Sequence, residues 1–394
     1  MLKGKTVVLG VTGSIAAYKI ANLARMLVKQ HCEVHVLMTQ NATNFINPIT
    51  FETLTKHKCL IDTFDRNFEF SVEHVALAKA ADVVMIAPAS ANVIGKIPNG
   101  IADDMLTTTV MACPCKKIVS PAMNHNMFHN PIVQDNIEKL KHYGYEIVEP
   151  AHGMLANGDM GDGRMPDEEL LFEYIVKEIA FEKDMTGKKV LVTAGATVEA
   201  IDPVRFITNH SSGKMGFALA KNAMLRGADV TLVMGKCDSE PPVFVNTVKV
   251  QSAKDMYDAV IERADSMDII VKAAAVADYR PKNVSSEKVK KQDGNMSIEL
   301  ERTDDILKTL GERKNSQFIC GFSMETENML ENSRKKLEKK NCDMIVANNL
   351  KQDGAGFGGN TNIVTLITKD DEVQLEKMTK DEVAEKIFDF ILSR

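Results

Sequence analysis

The 394-residue sequence has no apolar run of about 18 residues, the length a membrane-spanning helix needs, so no membrane span is expected. It has no surplus of positive charge. Lys and Arg number 48 against 54 Asp and Glu, a net charge of −6, which argues against generic nucleic-acid binding but leaves room for a local basic site. Cysteine is sparse: Cys32, Cys59, Cys113, Cys115, Cys237, Cys320 and Cys342 are scattered. Cys113-Pro-Cys115 lacks the spacing of a redox or zinc CxxC, and no second pair accompanies it. Reduced thiols in a cytoplasmic protein are the expectation. The opening MLKGKTVVLG reads as a strand behind a short basic lead, not as a secretion signal. Neither domain opening, GVTGSIA or TAGATVEAID, is GxGxxG, which weakens a nicotinamide-dinucleotide reading.

Hydrophobic residues make up 44% and charged residues 26%, an ordinary globular balance. The length exceeds the roughly 100–200 residues of one domain, so two are expected. In the first half, KTVVLGVTG, EVHVLMT, DVVMIAPAS and KKIVSPAM read as short strands, and SIAAYKIANLARMLVKQ as an amphipathic helix with Ser14 at its N-cap. At residue 187 the pattern restarts: GKKVLVTAGATVEAID echoes GKTVVLGVTGSIAAYK. Further strands are expected near 268–273, 317–321, 343–347 and 362–368. Strands alternating with helices predict two doubly wound, Rossmann-like α/β domains with mainly parallel sheets, 1–182 and 187–394, joined near the charged FEKDMTG. Ligands of such sheets bind outside the carboxyl ends of strands, so the loops after strands hold the candidate chemistry.

Gly13-Ser14 at a helix start suits a phosphate, although a plain tight turn explains it equally well. Ser90 and Asn92 follow one strand, Asn124 and Met127 another, and His74 opens a helix. Taken singly, Ser90 and Asn124 read as caps and His74 as a surface histidine. In the second half Lys272, Ala273, Ala274 and Asp278 stand at a strand end in KAAAVAD. Lys288 lies in the polar SSEKVKKQDG, and Lys336 and Lys340 are four apart on a helix face.

The strings TGSIAAYK, EHVALAKAAD, PASANVIGKIPNGIADD, PAMNHNM and GDMGDGRM resemble the flavin-dependent cysteine decarboxylases. TAGATVEAIDPVRFITNHSSGKMG, AAAVADYRP and KVKK resemble the phosphopantothenate–cysteine ligases. In this order, and over essentially the whole chain, they resemble the bifunctional coenzyme A biosynthesis family. The resemblance implies a flavodoxin-like first domain with FMN near Gly13, Ser14, Thr39, Ser90 and Asn92. It implies His74 as the catalytic histidine, Asn124 as the residue orienting the substrate carboxylate, and Met127 near the substrate. The implied substrate of this half is 4′-phosphopantothenoyl-cysteine. The implied assembly is a homo-oligomer, trimeric through the decarboxylase with the flavin between subunits and dimeric through the ligase, together a dodecamer.

For the second domain the resemblance implies CTP and Mg²⁺, with 4′-phosphopantothenate and cysteine joined through an acyl-cytidylate. Lys288 matches the essential lysine, and Asn209 the asparagine that serves conversion of the acyl-cytidylate. Asp278 matches the nucleotide-site aspartate near Mg²⁺, beside Lys272, Ala273 and Ala274. Phe322 matches a cytosine contact, and Lys336 and Lys340 triphosphate contacts. TDDIL places Thr303, Asp304, Asp305 and Ile306, followed by Leu307, where the family writes Asn-Pro-Asp-Ile at its nucleotide site, so Asp304 replaces proline while Asp305 and Ile306 carry over. Arg205 and Lys214 are cationic candidates for the substrate phosphate.

One departure stands in the glycine-rich stretch AHGMLANGDMGDGRMP, which reads as a supple loop without periodicity and resembles a flap over the substrate. The family writes Ala-Cys-Gly there, its cysteine being the final proton donor. This chain has Ala156-Asn157-Gly158. A thiol titrating at about pH 8.5 can release that proton, and a carboxamide cannot. Asn157 is then an engineered substitution, a natural change with another proton source, or the mark of a domain that stops after oxidative decarboxylation. The competing functional reading is a ligase fused to an altered FMN-binding domain with a binding or regulatory role.

Overall fold

The computed structural model describes residues 2–63, 73–154, 158–290, 296–325, 328–349 and 359–394. Two units emerge, Met1–Phe181 and Glu182–Arg394. Among the described residues no helix is long and apolar enough to cross a membrane.

Runs of Val, Ile and Leu buried on both faces favour parallel strands sandwiched between helices, and both units use them. In the first unit these are β1 (Thr6–Val11), β2 (Glu33–Met38), β3 (Val83–Ala89), β4 (Lys116–Pro121) and the short β5 (Glu146–Ile147). They form one parallel sheet in the order β2-β1-β3-β4-β5. Helices α1 (Ala17–Lys29), α2 (Pro48–Thr55), α3 (Glu73–Ala80), α4 (Ala91–Lys96), α5 (Met105–Ala112), α6 (His125–Phe128), α7 (Pro131–His142) and α8 (Glu168–Ile179) flank it. One face of the sheet is covered by α1 and α8. The other closes a core in which Leu77, Val93, Leu106, Val110, Ile137 and Leu140 meet the strands.

Residues 151–166 are not an irregular loop. They contain an antiparallel pair, β6 (Ala151–Met154) and β7 (Met160–Arg164), while residues 155–157, Asn157 among them, lie outside the described residues. The alternation of this pair is silent in the sequence because its buried positions are Gly153, Gly161 and Gly163. Glycine is required at Gly163. Its φ is 111°, and a Cβ there would stand 2.3 Å from the carbonyl oxygen of Met123.

The second unit begins with β8 (Lys189–Ala194), the small pair β9 (Val198–Ala200) and β10 (Phe206–Thr208), then α9 (Lys214–Leu225), β11 (Asp229–Met234), β12 (Asn246–Lys249), α10 (Ala253–Ala264) and β13 (Ile269–Lys272). A second small pair, β14 (Tyr279–Pro281) and β15 (Leu300–Arg302), precedes α11 (Ile306–Arg313), β16 (Phe318–Glu325), α12 (Met329–Lys339) and β17 (Met344–Asn349). The unit closes with β18 (Thr361–Asn362), β19 (Thr365–Ile367), β20 (Glu372–Gln374), β21 (Met378–Thr379) and α13 (Lys380–Leu392). Its eight-stranded sheet runs β12-β11-β8-β13-β16-β17-β19-β20. The first six strands are parallel; β19 and β20 add an antiparallel edge. Numbered from β8, the parallel part has the Rossmann order 3-2-1-4-5-6, with its switch point between β8 and β13. The first unit has the flavodoxin order, with its switch point between β1 and β3.

Candidate functional site

At the first switch point Thr12 ties the ends of β1 and β3 together. Its hydroxyl donates to the Pro88 carbonyl at 2.6 Å and accepts the Ser90 N–H at 2.9 Å. A cavity of about 580 Å³ opens over this edge, a size suited to a mononucleotide-sized ligand. Gly13, Ser14, Ser90, Asn124, Met127 and Arg164 are on its wall, so β1, β3, β4 and the β6–β7 hairpin all contribute. Ser14 is not the helix cap expected of it. The N-cap of α1 is Ala16, and the Ser14 hydroxyl accepts the Ala16 N–H at 3.4 Å within the preceding turn. Asn124 does cap α6, its Oδ1 accepting the Asn126 N–H at 2.9 Å, which leaves its amide nitrogen for the cavity.

Two features fit a flavin phosphate at this edge. Gly13 lies so close to the chain after β2 that a Cβ on it would stand 2.9 Å from the Cβ of Asn41. Thr39, at the end of β2, is buried with a hydroxyl that has no hydrogen-bond partner, but it is off the cavity wall and is not one of them. The turn carrying Gly13 and Ser14 also leads into the N-terminus of the 13-residue α1. Among the described residues, His74, Asn92 and Thr39 are not on the cavity wall: His74 is half-buried near the start of α3, and Asn92 is exposed on α4. The rim is apolar yet open, with Ile15, Tyr18, Met127 and Met154 at 48–68% exposure.

The second switch point gathers more of the expected residues. Lys272 ends β13, and the loop after it is fastened to β8: Ala274 N–H donates to the Thr193 hydroxyl at 3.0 Å and Ala275 N–H to the Gly195 carbonyl at 2.9 Å. Asn209 joins this loop, its Nδ2 donating to the Ala275 carbonyl at 3.2 Å, so it is not a helix cap; Gly213 holds that position for α9. Lys336 Nζ donates to the carbonyl of Phe322 at 2.9 Å. Lys340, just past the end of α12, pairs with Asp305, which also caps α11 through the Lys308 N–H at 3.0 Å. Burial pushes Lys272 down to about 8, helped by the neighbouring charges of Lys336 and Lys340 and opposed by Asp305 and Asp278. Lys272 at the end of β13 and Lys336 and Lys340 at the end of α12 form a site whose repulsion a polyphosphate would relieve.

Other expected residues are placed differently. Ile306 and Leu307, read as nucleotide contacts, are core residues at 2% and 3% exposure, packed with Leu310 and Ile319. Asp304 is exposed. Arg205 and Lys214 are not brought together as a phosphate clamp. Arg205 is held by Asp202 at 2.9 and 2.5 Å, whereas Lys214 bonds Asn360 and lines a separate cavity of about 490 Å³ with Lys221 and Lys380. Lys288 is exposed, and its neighbour Val289 is anchored on both sides: its N–H donates to Asp202 at 3.1 Å and its carbonyl accepts from Arg205 at 2.7 Å. Asp202 escaped the sequence reading, although it sits inside the quoted EAIDPVRF; a single acidic residue carries no signal until its distant partner is known.

Comparison with known proteins follows this two-part geometry. Residues 1–180 match the family described as Flavoprotein, and residues 185–394 the family described as DNA/pantothenate metabolism flavoprotein C-terminal domain. The chain is 48% identical over 373 residues to the Bacillus subtilis coenzyme A biosynthesis bifunctional protein CoaBC, covering 94% of this chain and 92% of that one. It is 42% identical over 393 residues to the Vibrio cholerae protein of the same name, covering 99% and 98%. A crystal structure of the C-terminal domain of a CoaBC protein shares 49% identity and covers 52% of this chain and 95% of that one, with a TM-score of 0.46.

Proposed function

The chain belongs to the family of bifunctional coenzyme A biosynthesis proteins, and from that premise we propose a division of labour between its two units. Residues 187–394 ligate 4′-phosphopantothenate to cysteine at the expense of CTP. Residues 1–182 then decarboxylate 4′-phosphopantothenoyl-cysteine to 4′-phosphopantetheine with FMN.

A carboxylate is a poor electrophile, so amide formation needs activation. The carboxylate attacks the α-phosphorus of CTP, pyrophosphate leaves, and cysteine's amine displaces CMP from the acyl-cytidylate. Lys272, Lys336 and Lys340 hold the triphosphate, and Lys288 reaches over it from the segment anchored at Asp202. Mg²⁺ would be held by phosphate oxygens with Asp278 and would neutralise charge on the leaving pyrophosphate. Asn209 donates to the acyl oxygen and, being neutral, leaves the amine free to attack. The observation that carries this reading is the lysine cluster at the carboxyl ends of β13 and β16. Pyrophosphate release that requires CTP and phosphopantothenate, stops after a single burst without cysteine and turns over once cysteine is added tests it; release with ATP in place of CTP, or none, would refute it.

In the first unit, Gly13, Ser14, Thr39 and Ser90 hold FMN, which supplies a two-electron oxidation of the cysteinyl thiol and its later reversal. Asn124 orients the substrate carboxylate through its free amide nitrogen. A neutral donor suits a group that must leave as carbon dioxide, since a fixed cation would stabilise it in place. His74 takes the proton. Because His74 is off the wall of its own cavity, whose apolar rim is open, the decarboxylase site is completed by a neighbouring copy in a trimer. Dimeric ligase contacts would extend this to a dodecamer. Asn157 supplies no proton, so the final reduction is slow or uses another donor. This residue is also what favours the second reading, a ligase fused to an FMN-binding domain with a binding or regulatory role.

A further inference from the structure

Three of the chain's nine histidines gather around one carboxylate at the foot of the β6–β7 hairpin. His129 Nε2 lies 2.9 Å from Asp162 Oδ2, and His152 Nδ1 lies 2.9 Å from Oδ1. The Asp162 N–H donates to His125 Nδ1 at 3.1 Å, which fixes the tautomer of His125 with its Nδ1 lone pair turned toward Asp162. The His125 and His129 rings meet edge to face, their centroids 4.4 Å apart. Gly161 makes room for them: a Cβ there would stand 2.9 Å from the His125 ring.

We propose that His125, His129 and Asp162, with His152 as fourth ligand, bind a divalent transition-metal ion of the zinc class, cross-linking β7 to α6 beside the first cavity. One donor atom from each of the first three residues lies within 4.8 Å of the others. Ligands about 2.0–2.1 Å from a tetrahedral ion stand about 3.4 Å apart. The two imidazole nitrogens are 2.9 and 3.9 Å from Asp162 Oδ2, a spread centred on that value. Metal binding therefore needs His125 and His129 to shift by about half an ångström, with the ion replacing the protons that now join His129 and His152 to the carboxylate and taking the His125 Nδ1 lone pair from the Asp162 N–H. Imidazole-rich sets with one carboxylate select Zn²⁺, Co²⁺, Ni²⁺ or Cu²⁺ over Mg²⁺ and Ca²⁺, so this site is chemically separate from the magnesium of the ligase.

The placement gives the ion a consequence. Asn124 and Met127 lie on the α6 side of the cavity, Gly163 and Arg164 on the hairpin side, and the site joins the two just outside. The inference rests on these side chains alone and stands whether or not the cavity holds a flavin.

Equilibrium dialysis of the full-length, chelator-stripped protein against Zn²⁺, with Co²⁺ absorption as a ligand-sensitive probe, tests it. The expected result is one Zn²⁺ per chain in the micromolar range, with d–d bands and no thiolate charge-transfer band for Co²⁺. Asp162→Asn and His129→Ala should each weaken binding by about tenfold or more. His152→Ala removes a ring that is 67% exposed, so folding is not at stake, and it should weaken binding less. Cys115, whose thiol is lowered by a hydrogen bond from Cys113, is the competing ligand to exclude, and Cys115→Ser should change nothing. No bound zinc would overturn the proposal and leave a hydrogen-bonded clamp. Binding that survives both Asp162→Asn and His129→Ala, or that disappears in Cys115→Ser, would overturn it equally. Loss in those two variants with His152→Ala unchanged would overturn the fourth ligand.

Discussion

The backbone N–H of Val289 donates to the carboxylate of Asp202 at 3.1 Å, across 87 positions of sequence. Asp202's side chain is fully buried, and Arg205 beside it holds its carboxyl well below the usual carboxylate range, so it remains an anion at every working pH. The same carboxylate accepts the N–H groups of Val204 and Arg205 at 2.8 Å each, fixing the turn before β10. The segment that carries Lys288 is thus pinned at its next residue. Asp202→Asn keeps the shape but replaces an acceptor facing Arg205 with a donor. CTP-dependent pyrophosphate release should fall by about tenfold or more, while flavin content and decarboxylation are unchanged. Equal loss in both half-activities would mean a general folding defect, and no loss would mean that Lys288 needs no anchor.

The legible parts of the fold were those whose signal is local. VVLGV, VVMIA and VLVTA are continuous apolar runs because both faces of a parallel strand are buried, and each appears as a strand. The hairpin at 151–164 was hidden because glycine fills its buried positions and leaves no alternation to read. The site was half legible for a related reason. Lys272, Lys336 and Lys340 follow from motif and strand end. Ile306 and Leu307 belong to the same kind of string, but burial turned their side chains into the core. The histidine cluster combines His125 and His129, four apart in sequence, with two residues of the hairpin, and only tertiary folding reveals it.

Gly163→Ala should disable the first unit. The new methyl would meet the Met123 carbonyl, and φ of 111° is strained for any residue with a Cβ. The Met123 N–H bonds the Gly163 carbonyl at 3.0 Å, so the hairpin cannot swing away without losing that bond. A cost of about 2–3 kcal/mol is expected, seen as a lower thermal midpoint and loss of bound flavin. Gly158→Ala is the control: its φ is 87°, but a Cβ there meets nothing within 4 Å, and about 1 kcal/mol is the expected cost. Equal effects of the two would contradict the packing argument.

Asn157→Cys should restore a proton donor. In a single turnover with 4′-phosphopantothenoyl-cysteine, the parent chain is expected to release carbon dioxide and accumulate the unsaturated thiol product. Asn157→Cys should carry it through to 4′-phosphopantetheine, because a thiol near about pH 8.5 donates where an amide does not. Mass spectrometry of the quenched reaction distinguishes the two products. Full conversion by the parent at the rate of Asn157→Cys would show that another group already supplies the proton.

Lys272 makes nucleotide binding sensitive to pH. Its folded value of about 8 lies below the ordinary lysine value of 10.5, so between these limits the free protein has lost a proton that the unfolded chain keeps. With more protons on the unfolded side, stability of the free protein should rise with pH across this window. A bound triphosphate acts in the opposite sense, favouring the charged lysine and raising its value. Binding CTP above pH 8 should therefore take up a proton, and affinity should fall as pH climbs from about 8 toward 10.5. Calorimetry in buffers of different ionisation enthalpy measures that proton directly. Lys272→Met should abolish the uptake along with much of the affinity, whereas Lys272→Arg, charged throughout, should bind CTP with a flat pH profile. Uptake that persists in Lys272→Arg would show that Lys272 is not the group that takes up the proton.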